Sequence, residues 1–290
     1  MKYPLEYGYS LVGRVVEVGS ALDAAEWIGK RVFAFAPHGT EAVVDVSAAI
    51  PVPEGVSAED ATFLPSVETA VSLVQEVCPM LGENVGVVGA GLIGSLVMQV
   101  LCLGGYTTAG QVVLFDVNQD RLQQAAQACR DILPQIKDHL GGLYFRDPLS
   151  PSSTTIRDLD CCVEVSGVGA GLQTAVDSTR DYGRILLGSW YRGETKIKLG
   201  AAFHRSHIEL RASQVSDVPA ALSGRWDKAR RFALAWELLK KIQPSRLLGS
   251  GVNTRVPLRT HDVQAAYEAM ERGEILTCLL IPPGTTRDEQ

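Results

Sequence analysis

Three glycines, Gly89, Gly91 and Gly94, stand with GxGxxG spacing at the exit of the apolar run Val85-Gly86-Val87-Val88. A second apolar run, Val112-Val113-Leu114-Phe115, ends in Asp116, 22 residues beyond Gly94. A helical pattern through Leu96, Val97, Val100 and Leu101 follows the glycines. This is the layout of a dinucleotide site. Gly89 lets the chain turn sharply from strand to helix, Gly91 lets backbone approach a pyrophosphate, and Gly94 lets the helix pack close to the sheet. The phosphates would rest on the free N–H groups of the first helical turn, around Leu92 and Ile93, at the positive end of the helix dipole. Asp116, at the tip of the second strand, would accept hydrogen bonds from the adenosine ribose hydroxyls and repel a 2′-phosphate. The expected cofactor is therefore NAD, with NADP less favoured, although Arg121, one helical turn further on, leaves room for it. The bland alternative is a βαβ turn that binds nothing.

The elements around these residues alternate in type. Leu159–Val165, Arg184–Gly188 and Ile208–Ser213 read as further strands, and Asp120 to Ile132 and Gly169 to Thr179 read as helices. A third strand is expected near Gly142–Phe145, followed by a loop over Pro148–Thr155. Strand–helix alternation predicts an α/β fold with a Rossmann doubly wound parallel sheet. Backbone groups at Ser166-Gly167 and Gly188-Ser189, which end the fourth and fifth strands, are candidate cofactor contacts. The alternative there is an ordinary strand-end turn. Before this region, Leu11–Val18, Arg31–Ala36, Glu41–Val46 and Ile50–Pro53 read as short strands of a β-rich domain. Ser57 is a helix cap, and Val67 to Glu76 leads into the first strand of the nucleotide domain. After it come a helix from Trp226 to Lys241, an extended stretch Val252–Leu258, a helix His261 to Arg272 and a strand Ile275–Ile281. This last segment is expected to return to the N-terminal β domain.

Composition narrows the partners. The 290 residues carry a net charge of −6, with 46% hydrophobic and 21% charged residues. That balance argues against nucleic acid or an anionic membrane as the main partner. The basic run Lys228-Ala229-Arg230-Arg231 reads as a solvated helix face. No apolar run approaches the roughly 20 residues that span a bilayer, and Met1-Lys2-Tyr3-Pro4 does not open a signal peptide, so the expected place is the cytoplasm. The six cysteines form no CxxC pair and have no histidine at ligand spacing, so buried reduced thiols are expected, with no disulfide framework and no zinc site.

The order of these features resembles the medium-chain dehydrogenase/reductase superfamily. Tyr3-Pro4-Leu5-Glu6-Tyr7-Gly8-Tyr9-Ser10 through Gly19 follows the pattern P-x-x-x-G-H-E-x-x-G-x-V-x-x-V-G, and Gly29-Lys30-Arg31-Val32 matches the next G-D-R-V turn. Glu164-Val165-Ser166-Gly167, Arg255-Val256-Pro257-Leu258 and Ala265-Ala266-Tyr267 continue the likeness. It implies a GroES-like substrate domain over residues 1–66 and 245–290 and a Rossmann domain over 67–244. In zinc-dependent members the G-H-E histidine binds the catalytic metal. Here Tyr9 and Ser10 replace the histidine and glutamate, Leu64-Pro65-Ser66 replaces another ligand region, and the four-cysteine lobe is missing, so no zinc is expected. Superfamily members usually carry several tens of residues before this segment, and the GroES-like domain is accordingly expected to be N-terminally truncated. Phe203-His204-Arg205-Ser206-His207-Ile208, Ser213-Gln214-Val215-Ser216 and Gly224-Arg225-Trp226-Asp227 are similar to the bacteriochlorophyllide a dehydrogenase-like branch.

Without a metal, hydride transfer needs a protein donor to polarise the substrate oxygen. Tyr9 is the first candidate, because it replaces the metal-binding histidine; otherwise it is packing filler. His38 could act as donor or acid, or be a surface-turn residue. Glu68, at the start of the helix before the nucleotide domain, is either a third catalytic candidate or a helix-surface carboxylate. His204-Arg205 could reach an acidic substrate or be solvated. The resulting expectation is a zinc-independent, NAD(H)-dependent oxidoreductase acting on a small-molecule alcohol/carbonyl pair or conjugated carbonyl. The competing expectation is a non-catalytic nucleotide-binding paralogue. The resemblance also implies a homodimer, with Ile208–Ser213 as its edge strand.

Overall fold

The alternating strand and helix periods produce two units, and the computed structural model describes residues 6–108, 110–133, 142–150, 158–248 and 253–283. One unit is drawn from Met1–Pro65 and Ala235–Gln290, the other from Ser66–Leu234.

The first unit begins with β1 (Leu11–Arg14), a short helix α1 (Ala24–Trp27), β2 (Arg31–Ala34) and β3 (Ile50–Pro51). These strands form an antiparallel sheet in the order β1-β2-β3, with Val32, Phe33 and Ala34 of β2 buried. The strand expected over Glu41–Val46 does not form. Its residues are almost all exposed, and Asp45 instead accepts the Ser47 N–H at 2.8 Å to cap a short 3₁₀ turn over Val46–Ala48. An alternating apolar pattern without a neighbour to pair with has no ladder to stabilise it. Ser57 caps α2 (Ala58–Ala61) as expected.

The second unit opens within α3 (Leu64–Val77), whose buried face includes Val67, Val71, Leu73 and Val77. Its strands are β4 (Val85–Val88), β5 (Val112–Phe115), β6 (Leu143–Arg146), β7 (Leu159–Glu164), β8 (Thr179–Leu187) and β9 (Glu209–Ala212). All pair in parallel, in the order β6-β5-β4-β7-β8-β9. Helices α4 (Leu92–Leu103), α5 (Gln119–Ile132) and α6 (Gly169–Ser178) supply crossovers. The order reverses between β4 and β7, which is the switch point where such sheets bind ligands, beyond the carboxyl ends of their strands. β4 (Val-Gly-Val-Val) and β5 (Val-Val-Leu-Phe) are buried on both faces, as strands without a polar residue must be. β8 starts five residues earlier than its apolar run suggests. Its first half is polar, the ladder with β7 shifts register there, and Tyr182 takes a left-handed φ of 61°. The Pro148–Thr155 loop is described only to Ser150, where the chain turns.

A short α7 (Ala220–Ser223) precedes α8 (Lys228–Ile242), in which the division between the units falls. Back in the first unit, β10 (Asn253–Pro257) and β11 (Thr277–Ile281) form a parallel pair around α9 (Thr260–Glu271). Arg255 of β10 grips Glu59 of α2 bidentately, with both N···O distances at 2.6 Å, and the Ser245 N–H bonds Asp60 at 2.8 Å. These contacts tie the C-terminal stretch to the N-terminal one. Among the described residues no helix is long and apolar enough to cross a membrane.

Every residue of β4 and β5 is buried. Leu114 is fully buried in β5, so Leu114→Ala is expected to destabilise the second unit by about 2–5 kcal/mol. A lowered urea midpoint by far-UV circular dichroism would register this; an unchanged midpoint would contradict the packing.

Candidate functional site

The turn after β4 is shaped by space. Gly89 has a φ of +104°, and a Cβ there would lie 2.8 Å from the Ser166 backbone. A Cβ on Gly94 would lie 1.8 Å from the Gly89 carbonyl oxygen, so α4 can start this close to its strand only with glycine at that position. Gly91, the N-cap of α4, has open space on its side-chain face and supplies no side-chain cap. Leu92 and Ile93, half-buried, form the first turn. Uncapped N–H groups and a bare glycine are the features an anionic diphosphate needs.

Asp116 stands one strand away. Its Oδ2 accepts the Ala90 N–H at 2.7 Å, from the middle of the glycine turn, and its Oδ1 accepts the Asn118 N–H at 2.8 Å. Asn118 in turn caps α5 through the Arg121 N–H at 3.1 Å. The carboxylate is thus fixed by backbone donors while each oxygen keeps acceptor capacity for a ligand hydroxyl. Residues Gly89 to Gly94 and Asp116 therefore fit a dinucleotide, and Arg121 lies within the same capped turn.

Beyond the switch point the strand ends are tied together. Gly167 has a φ of +73°, and its N–H donates to the Ser189 hydroxyl at 2.8 Å, joining the loops after β7 and β8. A Cβ on Gly188 would lie 2.7 Å from Leu73. Glu164, which ends β7, is completely buried. Its carboxylate accepts the Ser166 N–H at 2.8 Å, the Ser166 hydroxyl and the Tyr191 hydroxyl. Burial, and then the bond to this carboxylate, push the Tyr191 phenol far above its ordinary value, so it remains a donor. Tyr191 escaped sequence reading, since an aromatic after Ser-Trp carries no motif. The signal for Glu164 was an acid closing an otherwise apolar strand.

Glu68 is also buried, at 3% exposure. It forms an ion pair with Lys228 and lies 3.7 Å from Arg231, which is itself fully buried. The expectation that Lys228–Arg231 is a solvated face holds for Ala229 and Arg230, which are exposed, but not for Arg231, which shares a side of α8 with the buried Ala235, Leu238 and Leu239. Cys78 likewise is exposed, in a left-handed turn after α3, whereas Cys102, Cys129, Cys161 and Cys162 are buried thiols. Burial pushes the Cys161 thiol up to about 12.

In the first unit Tyr9 is 60% exposed, and its neighbour Ser10 donates to the Thr62 carbonyl. His38 Nε2 lies 3.1 Å from the Tyr267 hydroxyl, and its backbone N–H bonds the Tyr7 carbonyl at 2.9 Å. Tyr7 stands edge-on to both rings. Tyr267 is thus a second hydroxyl beside His38 that spacing did not reveal. His204 and Arg205 are exposed. Among the described residues no three His, Cys, Asp or Glu side chains gather as a metal site would require.

A comparison with models of protein families finds no match. Solved structures do match. The 2R,3R-butanediol dehydrogenase of Bacillus subtilis superposes with a TM-score of 0.71 at 19% identity, covering 97% of this chain and 82% of that one. The chain has the fold of this dehydrogenase. A short chain alcohol dehydrogenase from E. coli CFT073, complexed with cofactor NADH, gives 0.69 at 19% identity over 97% and 85% of the two chains. The galactitol-1-phosphate dehydrogenase of Escherichia coli gives 0.70 at 18% over 97% and 85%. The α/β fold with its six-stranded parallel sheet follows from these matches.

Partial burial lowers the His38 pKa below the ordinary imidazole value of about 6.5. The unfolded chain then binds this proton more readily than the folded one, so the contribution of His38 to stability falls as pH drops from 6.5 through the folded value. An NMR titration of the imidazole should give a midpoint below 6.5. A midpoint at or above 6.5 would show that the ring is not desolvated.

Proposed function

We propose that this chain is a zinc-independent oxidoreductase of the medium-chain dehydrogenase/reductase type, in the branch resembling bacteriochlorophyllide a dehydrogenase-like proteins. It binds NAD(H) in preference to NADP(H) and acts on an alcohol/carbonyl pair or a conjugated carbonyl. The observation that carries this reading is the Asp116 carboxylate locked to the Ala90 N–H of the glycine turn. The NADH-bound dehydrogenase of the same fold supports a nicotinamide cofactor.

The residues divide the work. The N–H groups of Leu92 and Ile93, with the bare Gly91 beside them, hold the diphosphate. Asp116 receives the adenosine ribose hydroxyls and opposes a 2′-phosphate by charge. Ser166, Gly167, Gly188 and Ser189 offer backbone and hydroxyl groups to the rest of the dinucleotide. A nicotinamide bound here would supply or accept hydride at its C4 position. With no zinc to polarise the substrate oxygen, a hydrogen-bond donor takes that part, and Tyr9 and His38 are the proposed groups. His38, hydrogen-bonded to the Tyr267 hydroxyl, has a partner through which a proton can pass. Glu68 is committed to two cations, which suits a supporting part better than proton transfer. A cytoplasmic location and a homodimer through the edge strand β9 complete the reading.

Titration of the protein with NADH and NADPH, followed by nicotinamide emission, tests it. The expected result is NADH binding at least about tenfold tighter than NADPH, with Asp116→Asn narrowing that gap by about tenfold, roughly 1.4 kcal/mol. Absence of binding by either nucleotide would remove the oxidoreductase reading.

A further inference from the structure

The cluster around Lys228 lies at one end of the ligand edge of the sheet, and the register of α3 shows where. Near the start of β8's regular ladder, the Arg184 side chain bonds the Val77 and Cys78 carbonyls at 2.7 and 2.8 Å, fixing the C-terminal end of α3 there. Leu73 packs against Gly188, just past the end of β8. α3 therefore runs antiparallel to the strand. Glu68, five residues before Leu73, lies about 7.5 Å further along the helix axis at 1.5 Å per residue, beyond the carboxyl end of the strand. Lys228 meets it there, also bonding the carbonyl of Val215, in the segment after β9, at 3.0 Å.

Charge does not cancel at this position. One buried carboxylate faces two cations, Lys228 and Arg231. Arg231 Nη1 reaches only the Val215 and Asp217 carbonyls, each at 3.3 Å, while its Nε and Nη2 have no hydrogen-bond partner among the described residues. The surrounding exposed charges, Asp217 and Asp227 against Arg225 and Arg230, balance in number and are screened by water. The net positive charge is therefore buried, where its field is felt most strongly. Lys228 itself is partly open, with 40% of its side chain exposed.

This inference rests on the dinucleotide reading above. With adenosine at Asp116 on β5 and the diphosphate at α4, the nicotinamide half would lie across the switch point, on the side of the sheet built from β7, β8 and β9, where the Lys228 cluster stands. The two redox forms of that half differ by one charge: the oxidised ring is cationic and the reduced ring is neutral. We infer that Lys228, held by Glu68 and backed by Arg231, disfavours the cationic ring, so that the protein retains NADH over NAD⁺ and shifts the bound couple toward its reduced form.

The test is a set of equilibrium titrations of the intact chain with NADH, NAD⁺ and ADP-ribose, which lacks the nicotinamide. The wild-type protein is expected to bind NADH at least about tenfold tighter than NAD⁺. Lys228→Gln should shrink that ratio several-fold, Lys228→Arg should keep it, and ADP-ribose affinity should be the same in all three proteins. An unchanged ratio in Lys228→Gln, with ADP-ribose still bound, overturns the inference and leaves the dinucleotide reading intact. Failure of all three probes to bind the wild-type protein overturns both. If Lys228→Gln does not fold by circular dichroism, a wild-type ratio near one still overturns the inference, and a large ratio kept by Lys228→Arg supports it.

Discussion

The close approach of the β4 turn to its neighbours is the constraint on which the second unit depends. Gly89 donates its N–H to the Phe115 carbonyl at 2.8 Å, faces the Ser166 backbone on its side-chain side, and receives Gly94 against its carbonyl. Three chain segments meet there with no room for a Cβ on either glycine. The backbone of the turn is thereby placed at the switch point, and the first turn of α4 is left without a side-chain cap. Substitution at Gly94 would have to push α4 off the sheet, whereas Gly91 faces open space. The two glycines share a motif but not a reason: one is required by packing, the other leaves the ligand face bare.

Three carboxylates stand at or beyond the carboxyl edge of the sheet, and each is stabilised differently. Asp116 is held by two backbone N–H groups, and Glu164 by one N–H and two hydroxyls without any cation among its hydrogen-bond partners. Glu68 has cations. Neutral donors leave a negative charge in place, whereas two cations reverse it. Glu164 also lies against the N-terminal turn of α6, where a Cβ on Gly171 would come within 3.2 Å of its Oε1. The positive end of that helix is a further neutral partner facing this carboxyl group.

Much of this was legible in the sequence. The apolar runs of β4 and β5 were legible because a parallel strand buried on both faces has no polar positions to spare, and the spacing of Gly89, Gly91 and Gly94 and the acid at the tip of β5 stand in the sequence directly. The early start of β8 and the absent strand at Glu41–Val46 were not legible. One depends on a register shift with β7, the other on the lack of a pairing neighbour, and neither leaves a trace in the local pattern. The inward turn of Arg231 was hidden for a related reason. Read alone, Lys-Ala-Arg-Arg is a polar run. Only the apolar positions that follow it on α8 show which side faces the core, and only the fold brings Glu68 to meet it.

Placing the charges along the sheet gives the site a polarity. Asp116 sets a negative charge beside β5, the uncapped amides of α4 set a partial positive charge at the switch point, and the partly open Lys228 with the buried Arg231 sets a positive charge beyond β8 and β9. On the reading proposed above, a dinucleotide laid across this edge with its adenosine at Asp116 would meet an acceptor for its ribose hydroxyls, donors for its diphosphate, and a field opposed to a cationic ring at its far end.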